Sequence, residues 1–443
     1  LRRFLAIAAV VLVARTAHAG QATCSNPGLP VGASASSDLL PGRLTLALTT
    51  GLLVIDGSEV VIETAGRVRY DSRLALFETR LSAEYALTSS IAIGAALPYR
   101  IVDIGVDYFD PATGAQVPNG SSIHVRDERL TGLGDPSLNV HGARELGSLR
   151  FHARLGATLP VADTVENPHL LGSIGQEHEH VQLGTGTVIP FGVVEVQRSF
   201  GPLTGAAFAA AFVSLYENEY GFQPGHRISG GISASSSFGL RAFTFGLAAE
   251  VHGETAETWD GVEYADEGNN GRIDTLVGGS LAWRPLPQLA IVADAKLPVH
   301  SKVYGTQLDY GPVFGLGVVG TFETREKPSY RGADVAVVGP AGSASPLVPV
   351  PGKITVFDLW ADWCAPCREL DERLADLARR YPDRIAIRKL DVTDTDSAAW
   401  LAYLGPKKFD LPHVKVHGTD GALVFEKSAP PIELVRAIEA LLR

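Results

Sequence analysis

Between Arg43 and Phe322 apolar and polar side chains alternate over stretches longer than eight residues. Successive side chains of a strand point to opposite faces, so such a stretch builds a strand with one apolar and one polar face. In Ser148–Leu159 one face carries Leu149, Phe151, Ala153, Leu155, Ala157 and Leu159, and the other Arg150, His152, Arg154 and Thr158. Leu74–Leu87 repeats the pattern with Glu78, Arg80, Ser82 and Glu84 on its polar face, and Leu289–Val299 does so with Asp294 and Lys296. About twelve such segments follow one another, near 43–55, 73–87, 90–103, 135–146, 148–160, 186–200, 202–216, 227–238, 240–253, 273–284, 288–300 and 309–322. Segment 186–200 loses phase near Val193, as a bulge would cause, and 202–216 is apolar on both faces.

The connections alternate in length. Thr88-Ser89, Gly147, Gly201, Gly239 and Leu286-Pro287 read as tight turns, whereas Val106–Leu133, Val161–Thr185 and Thr255–Arg272 are long and polar. One rim of short turns and one of long loops is the pattern of an outer-membrane β-barrel, whose apolar face meets lipid and whose polar face meets the lumen. A soluble β-sandwich also alternates, but with shorter strands and without rim asymmetry. Tyr85, Tyr99, Tyr216, Trp283, Tyr310 and Phe322 sit near strand ends, where interfacial aromatics belong. An even strand count puts both barrel ends on the short-turn, periplasmic side. The predicted fold class is therefore an all-β antiparallel outer-membrane-type barrel of about twelve strands over 40–322, followed by a separate C-terminal module.

Other segments frame this reading. Arg2 and Arg3, the apolar run Phe4–Ala14 and Ala17-His18-Ala19 read as a signal peptide over 1–19, which predicts export to a compartment that permits disulfides. The run is too short to span a bilayer as a helix, and no later one reaches ~18 apolar residues. A net charge of −11 argues against a nucleic-acid partner, which needs Lys and Arg for phosphate contacts. The charge is unevenly spread, with a net of −10 before Pro351 and −1 from there on, and 43 of the 47 glycines precede that residue. Residues 323–350, with Gly-Pro-Ala-Gly-Ser-Ala-Ser-Pro and Pro-Leu-Val-Pro-Val-Pro, read as a linker spanning roughly 30 Å. Three cysteines are too few for a disulfide framework. Cys24 has Gln21 three positions earlier, where a lipobox needs an apolar residue, so a free thiol or pairing with another chain is expected. His169, His178 and His180, with Glu177 and Glu179, have metal-donor chemistry, but they read as solvated loop residues and no metal is assigned.

Residues 351–443 carry the chemistry. Ile354–Leu359 is a hydrophobic strand that runs into Trp360-Ala-Asp-Trp363-Cys364-Ala-Pro366-Cys367. Glu369–Tyr381 has helical spacing, Ile385–Leu390 is a second strand, and Ala398–Leu404 is helical. Val414–Val416 and Ala422–Phe425 read as strands, and Ile432–Leu442 as a final helix. A Cys-x-x-Cys at a helix start sets its leading sulfur against unsatisfied N–H groups and the positive end of the helix dipole, which lowers its pKa. Cys364 is then the attacking thiolate and Cys367 the resolving one, with Pro366 limiting how the turn opens. The same pair also reads as half of a zinc site, for which no second cysteine pair exists.

Trp-Ala-Asp-Trp-Cys-Ala-Pro-Cys resembles the thioredoxin family over about 350–443. The resemblance implies an α/β thioredoxin fold and a protein-disulfide reductase whose cofactor is none beyond a redox-active Cys364–Cys367 disulfide. It implies that Asp358 relays a proton to the resolving thiol, that Lys389 pairs with Asp358, and that Trp360 and Trp363 pack around the site. It implies a cis Pro412 that, with Leu411 and His413 beside it and with Trp363, binds an extended substrate chain. His413 stands where the family usually has Thr, and about four extra residues near Gly405–Lys408 precede the proline. The Ala-Pro dipeptide between the cysteines, without the histidine of strongly oxidising relatives, implies a reductase or an isomerase-reductase. In the front part, Gly132-Leu-Gly-Asp135-Pro-Ser-Leu138, Leu183-Gly-Thr-Gly186, and Leu297-Pro-Val299 followed by Gly305-Thr-Gln-Leu308 resemble the outer-membrane barrel family associated with phenol meta-cleavage pathways.

The expected partners are protein disulfide substrates, a periplasmic thiol donor and outer-membrane lipid. The competing expectation is a channel for small compounds, hydrophobic ones included, with an accessory thioredoxin module.

Overall fold

The computed structural model of this 443-residue chain describes residues 29, 39–63, 66–118, 126–146, 148–201, 203–240, 242–264, 268–286, 288–305, 309–324, 330–362, 364–407 and 409–442. Segment 1–19, read from sequence as a signal peptide, lies outside them, as do Cys24 and Trp363.

The first module consists of β1 (Arg43–Glu63), β2 (Gly66–Ala86), β3 (Ile91–Phe109), β4 (Glu128–Leu133), β5 (Ser137–Leu146), β6 (Leu149–Thr158), a short helix α1 (Pro168–Ser173), β7 (Ile189–Phe200), β8 (Leu203–Phe212), β9 (Phe222–Gln223), β10 (Arg227–Ser236), β11 (Phe243–Ala256), β12 (Thr258–Trp259), β13 (Asn270–Leu286), β14 (Leu289–Val303) and β15 (Val313–Glu323). β9 and β12 pair only with each other, as a small ribbon in the long loops. The other strands form one antiparallel sheet, closed because β1 pairs with both β2 and β15 while β2 pairs with β3. β4 and β5 lie end to end along β3, opposite Tyr99–Ile104 and Ile91–Ala96 respectively. They count as one interrupted strand, and the barrel has twelve. The interruption is Gly134-Asp135-Pro136, where Pro136 has no N–H to donate. The Asp135 carboxylate instead accepts from Val161, Ala162 and Thr185 N–H, tying the following long loop to the wall.

All connections at the rim holding Arg43 and Glu323 are short. Gly201 and Gly239 turn there with φ of 63° and 79°, a backbone that glycine adopts without steric penalty. At the opposite rim β1 and β2 run eight and seven residues past 55 and 73, and pair from Asp56↔Arg73 to Glu63↔Gly66. Ser58 donates to Asp71 at 2.6 Å across this extension. The polar appearance of 56–58 and 71–72 conceals a projecting hairpin. Within the loop after β6, α1 forms because Asn167 caps it, accepting from His169 and Leu170 N–H, and Pro168 opens it.

The period-two faces are realised. Leu46, Leu48, Leu81, Ile93, Leu138, Leu155, Leu247, Leu316 and Val318 are exposed on the outer face. The inner face is partly filled. Toward the long-loop rim, Leu53, Ile55, Leu74, Leu76, Val102, Ile104, Val106 and Tyr108 bury one another together with Val181, which the long loop brings inside. Elsewhere charges pair within and across strands. Glu78 binds Arg80 and Arg100, Glu84 binds His141 and Arg154, Glu250 binds His252 and Lys296, and Arg272 binds Asp274.

The second module has β16 (Val335–Val337), β17 (Ile354–Trp360), α2 (Ala365–Arg380), β18 (Ile385–Asp391), α3 (Ala398–Tyr403), a 3-10 turn at Gly405–Lys407, β19 (His413–His417), β20 (Leu423–Ser428) and α4 (Pro431–Leu441). The sheet order is β16-β18-β17-β19-β20. β16 and β17 run parallel to β18, while β19 and β20 are antiparallel to their neighbours. α2 and α4 bury Leu370, Leu374, Leu377, Leu434 and Ile438 against Val356, Ile387 and Val416 on one face. α3 covers Phe357, Leu359 and Leu390 on the other. This strand–helix–strand–helix–hairpin–helix order is the thioredoxin fold.

The expected linker 323–350 is corrected in its second half. β16 adds an edge strand to the sheet, Gly342 O accepts from Ala399 N–H, and Ser345 O accepts from the Tyr403 hydroxyl. Asp334 binds both Lys353 and Arg388. Proline- and glycine-rich chain from Tyr330 onward is thus built into the second module.

Candidate functional site

The site forms where the buried strand β17 gives way to α2. Cys364 is the N-cap of that helix, and its Sγ accepts from Cys367 N–H at 3.1 Å. Ala365 and Pro366 are the first helical residues, positions whose N–H groups lack intrahelical partners, so proline fits there. Cys364 and Cys367 are joined, with S–S 2.03 Å and Cα–Cα 5.3 Å. Both sulfurs are nearly inaccessible and pack with Ala361, Trp360 and Leu411. Once reduced, the leading thiol would face an N–H donor and the positive end of a sixteen-residue helix.

Behind the cysteines Asp358 is fully buried on β17, and among the described residues neither of its oxygens has a hydrogen-bond partner. Burial pushes its carboxyl up to about 7, against the pull of Lys389 and aided by the negative charge of Asp371. Lys389 is its register partner on β18. Its amine, however, is drawn elsewhere, to Asp371 on α2 at 2.5 Å and to the Tyr330 hydroxyl at 3.0 Å. Tyr330 OH lies 2.6 Å from both Asp371 oxygens and donates to that carboxylate. Lys389 Nζ also stands 5.0 Å from the ring centre of Trp360.

On the other side, the Leu411–Pro412 peptide is cis. Leu411 packs on the cysteines, while Pro412 is buried. His413 does not join them. Its ring is fully buried, bonded to Ser428 Oγ at 2.9 Å and 3.4 Å from Glu426, and stacked on Phe409. The side chain following the cis proline therefore serves the β19–β20 hairpin, which corrects its expected role in substrate binding.

The structure thus gathers Cys364, Cys367, Asp358, Lys389, Trp360, Pro366, Leu411 and Pro412 around the end of the central strand β17. Sequence reasoning missed Asp371 and Tyr330. Asp371 follows Cys367 by one helical turn, a spacing that places both on one face of α2. Tyr330 carried no signal, because it falls in a stretch read as linker. The long-loop histidines are gathered rather than solvated, which corrects their expected exposure: His180 lies 5.2 Å from both His169 and His178 in edge-to-face contact, His169 stacks on Tyr264 with ring centres 3.5 Å apart, and His178 and His180 are buried. Among the described residues no group of His, Cys, Asp and Glu is set to hold a metal.

The active-site helix also touches the barrel. Arg368, next to Cys367, binds Glu323 at 2.5 Å, and Glu323 binds Arg43 at 3.0 Å. Ser89, in the first short turn, lies 3.3 Å from Glu369.

The thioredoxin family model matches residues 347–402. Thioredoxin-T of Drosophila melanogaster is 36% identical over 50 residues, 11% of this chain and 32% of that protein. Thioredoxin C-2 of Corynebacterium nephridii is 40% identical over 44 residues, 10% of this chain and 41% of that protein. The chain spans about a third of the length of the first of these relatives. Among solved structures, an outer membrane channel from Pseudomonas putida F1 aligns with 66% of this chain and 100% of its own, at 10% identity and a TM-score of 0.47.

Proposed function

Taking the thioredoxin domain as premise, we propose that this chain is an exported thiol–disulfide oxidoreductase of the reductase type, tethered to the outer membrane by its barrel. The observation that carries the reading is Cys364 at the N-cap of α2, bonded to Cys367 with Asp358 buried behind them. In the reduced protein the Cys364 thiolate attacks a substrate disulfide, forming a mixed disulfide and releasing one substrate sulfur as thiolate. Asp358 takes the proton of Cys367, whose sulfur attacks Cys364 Sγ and releases the second substrate thiol. The Cys364–Cys367 disulfide then returns to the dithiol by exchange with a thiol donor. A base with a carboxyl near 7 is well matched to proton transfer at neutral pH. The Leu411–Pro412 segment lies against the sulfurs, where an extended substrate chain would dock.

The test is dithiothreitol-driven insulin reduction by the full chain in detergent micelles. A clear acceleration over dithiothreitol alone is expected. A rate equal to that of dithiothreitol alone would remove the enzymatic reading.

The exposed apolar belt supports a membrane role for the barrel, and the apolar packing inside the long-loop rim, together with paired charges on the inner face, favours an anchor over a channel for small compounds. Contact between Arg368 and Glu323 at the short-turn rim supports a periplasmic position for the redox domain. Leu247 lies on the outer face of β11. Leu247→Arg is expected to destabilise the bilayer-inserted barrel by up to about 4 kcal/mol, measured by urea unfolding from phospholipid vesicles. An unchanged midpoint would argue for a soluble barrel.

A further inference from the structure

The lysine beside the buried acid is not free to serve it. Lys389 and Asp358 are register partners on parallel strands, so the sheet places this lysine beside the buried acid. Instead its amine is held at 2.5 Å by Asp371 and at 3.0 Å by Tyr330, and Trp360 lies against it. Tyr330 and Asp371 hold each other at 2.6 Å, so the lysine is gripped by two residues that are themselves linked. Asp358 meanwhile has no hydrogen-bond partner among the described residues. The charged and titratable groups around it are Lys389 of β18, Asp371 of α2 and Tyr330 from the segment before β16. The two cysteines titrate only once reduced.

We infer that Asp371 and Tyr330 are positioning residues of the proton relay, which hold Lys389 off Asp358 so that this acid works without a fixed counter-ion. The inference rests on the oxidoreductase reading and deepens it. Two carboxylates compete for one ammonium, and the partly exposed one holds it. A carboxylate with an adjacent ammonium is a weaker base, and one without it is stronger but is protonated to higher pH. Withholding the lysine therefore gives Asp358 the basicity to take a proton from the Cys367 thiol, and sets the pH below which that transfer fails. Tyr330 makes the device depend on chain outside the minimal catalytic module, since it lies in the segment that leads from the barrel. Burial and the Asp371 carboxylate keep its hydroxyl protonated, so it remains a donor to Asp371 throughout the working range.

The experiment is the pH profile of insulin reduction by the full chain in micelles between about pH 5 and 9. The acid limb of that profile is assigned by its loss in Asp358→Asn. In Asp371→Asn the released lysine turns to Asp358, and the limb is expected to move to lower pH by about one unit. Tyr330→Phe, which removes one of two holds on Lys389, should move it the same way by less, and Asp371→Glu should restore the parental limb. In a Lys389→Met background the shift caused by Asp371→Asn should shrink by at least half, because only direct repulsion of Asp358 is then relieved. An active wild type whose limb stays in place in both Asp371→Asn and Tyr330→Phe, or moves to higher pH, overturns the inference while leaving the oxidoreductase reading intact. Should Asp371→Asn fail to fold, an unmoved limb in Tyr330→Phe overturns it alone. A wild type that reduces no insulin at any pH overturns the oxidoreductase reading and this inference with it.

Discussion

Cys367→Ala should turn the protein from a catalyst into a covalent trap. Cys364 can still attack a substrate disulfide, but no neighbouring sulfur can displace the product, so a mixed disulfide through Cys364 accumulates. Cys364→Ser should trap nothing. Both variants should lose insulin turnover by at least about 100-fold, since residues that act as a unit lose nearly everything when either is removed. Non-reducing electrophoresis of the full chain after acid quenching checks the first outcome, and the turbidity assay checks the second. Equal trapping by the two variants would show that Cys364 is not the attacking sulfur. The assignment rests on the geometry: Cys364 Sγ accepts the Cys367 N–H at the helix start, whereas Cys367 lies within the helix and is the more buried.

Asp358→Asn should stabilise the C-terminal domain, and increasingly so as pH rises. In the unfolded chain this carboxyl ionises near 3.8, and in the folded domain only at about 7. Between those values the unfolded state binds fewer protons than the folded state, so wild-type stability falls with each pH unit, by about 1.4 kcal/mol at most. Below pH 4 both states are protonated and the effect vanishes. The amide does not titrate, so the variant escapes the loss. Its advantage should grow from near zero at pH 4 to roughly 2–4 kcal/mol at pH 8. Urea unfolding of the C-terminal domain at several pH values, read by pulse proteolysis of the full chain, checks this. A gain independent of pH would mean that Asp358 ionises normally in the fold. The same variant should resolve mixed disulfides more slowly, so the group that weakens the fold is the one the proposed chemistry uses.

The barrel was legible because the pleat leaves no choice. Once Leu149, Phe151 and Leu155 share a face, Arg150, His152 and Arg154 must share the other, and the pairing of β5 with β6 and β6 with β7 follows. The length of the first hairpin was not legible. Asp56, Gly57 and Ser58 look like loop residues, and it is Ser58–Asp71 bonding and cross-strand pairing that keep them extended. In the second module the Cys-x-x-Cys and the residues within one strand or one turn of it could be placed from spacing alone. His413 was misplaced because position beside a proline does not specify which way a ring turns. The ring is decided by Ser428 and Glu426, which come from a strand ten or more residues later. Tyr330 could not be found because its role exists only through contacts with residues 41 and 59 positions away.

The packing of chain from Tyr330 onward against the second module has a consequence for where this domain can work. Only six residues separate Glu323, the last residue of the wall, from Tyr330. Fully stretched they reach at most about 20 Å, whereas a free 28-residue tether would let the domain roam. Released from its contact with the rim, the domain sweeps a small cap of space around one mouth of its own barrel. Such a leash does not let it patrol a compartment. Under the proposed function its clientele would be whatever diffuses to that mouth or sits beside it in the plane of the membrane, and encounters would be governed by the lateral neighbourhood of the barrel.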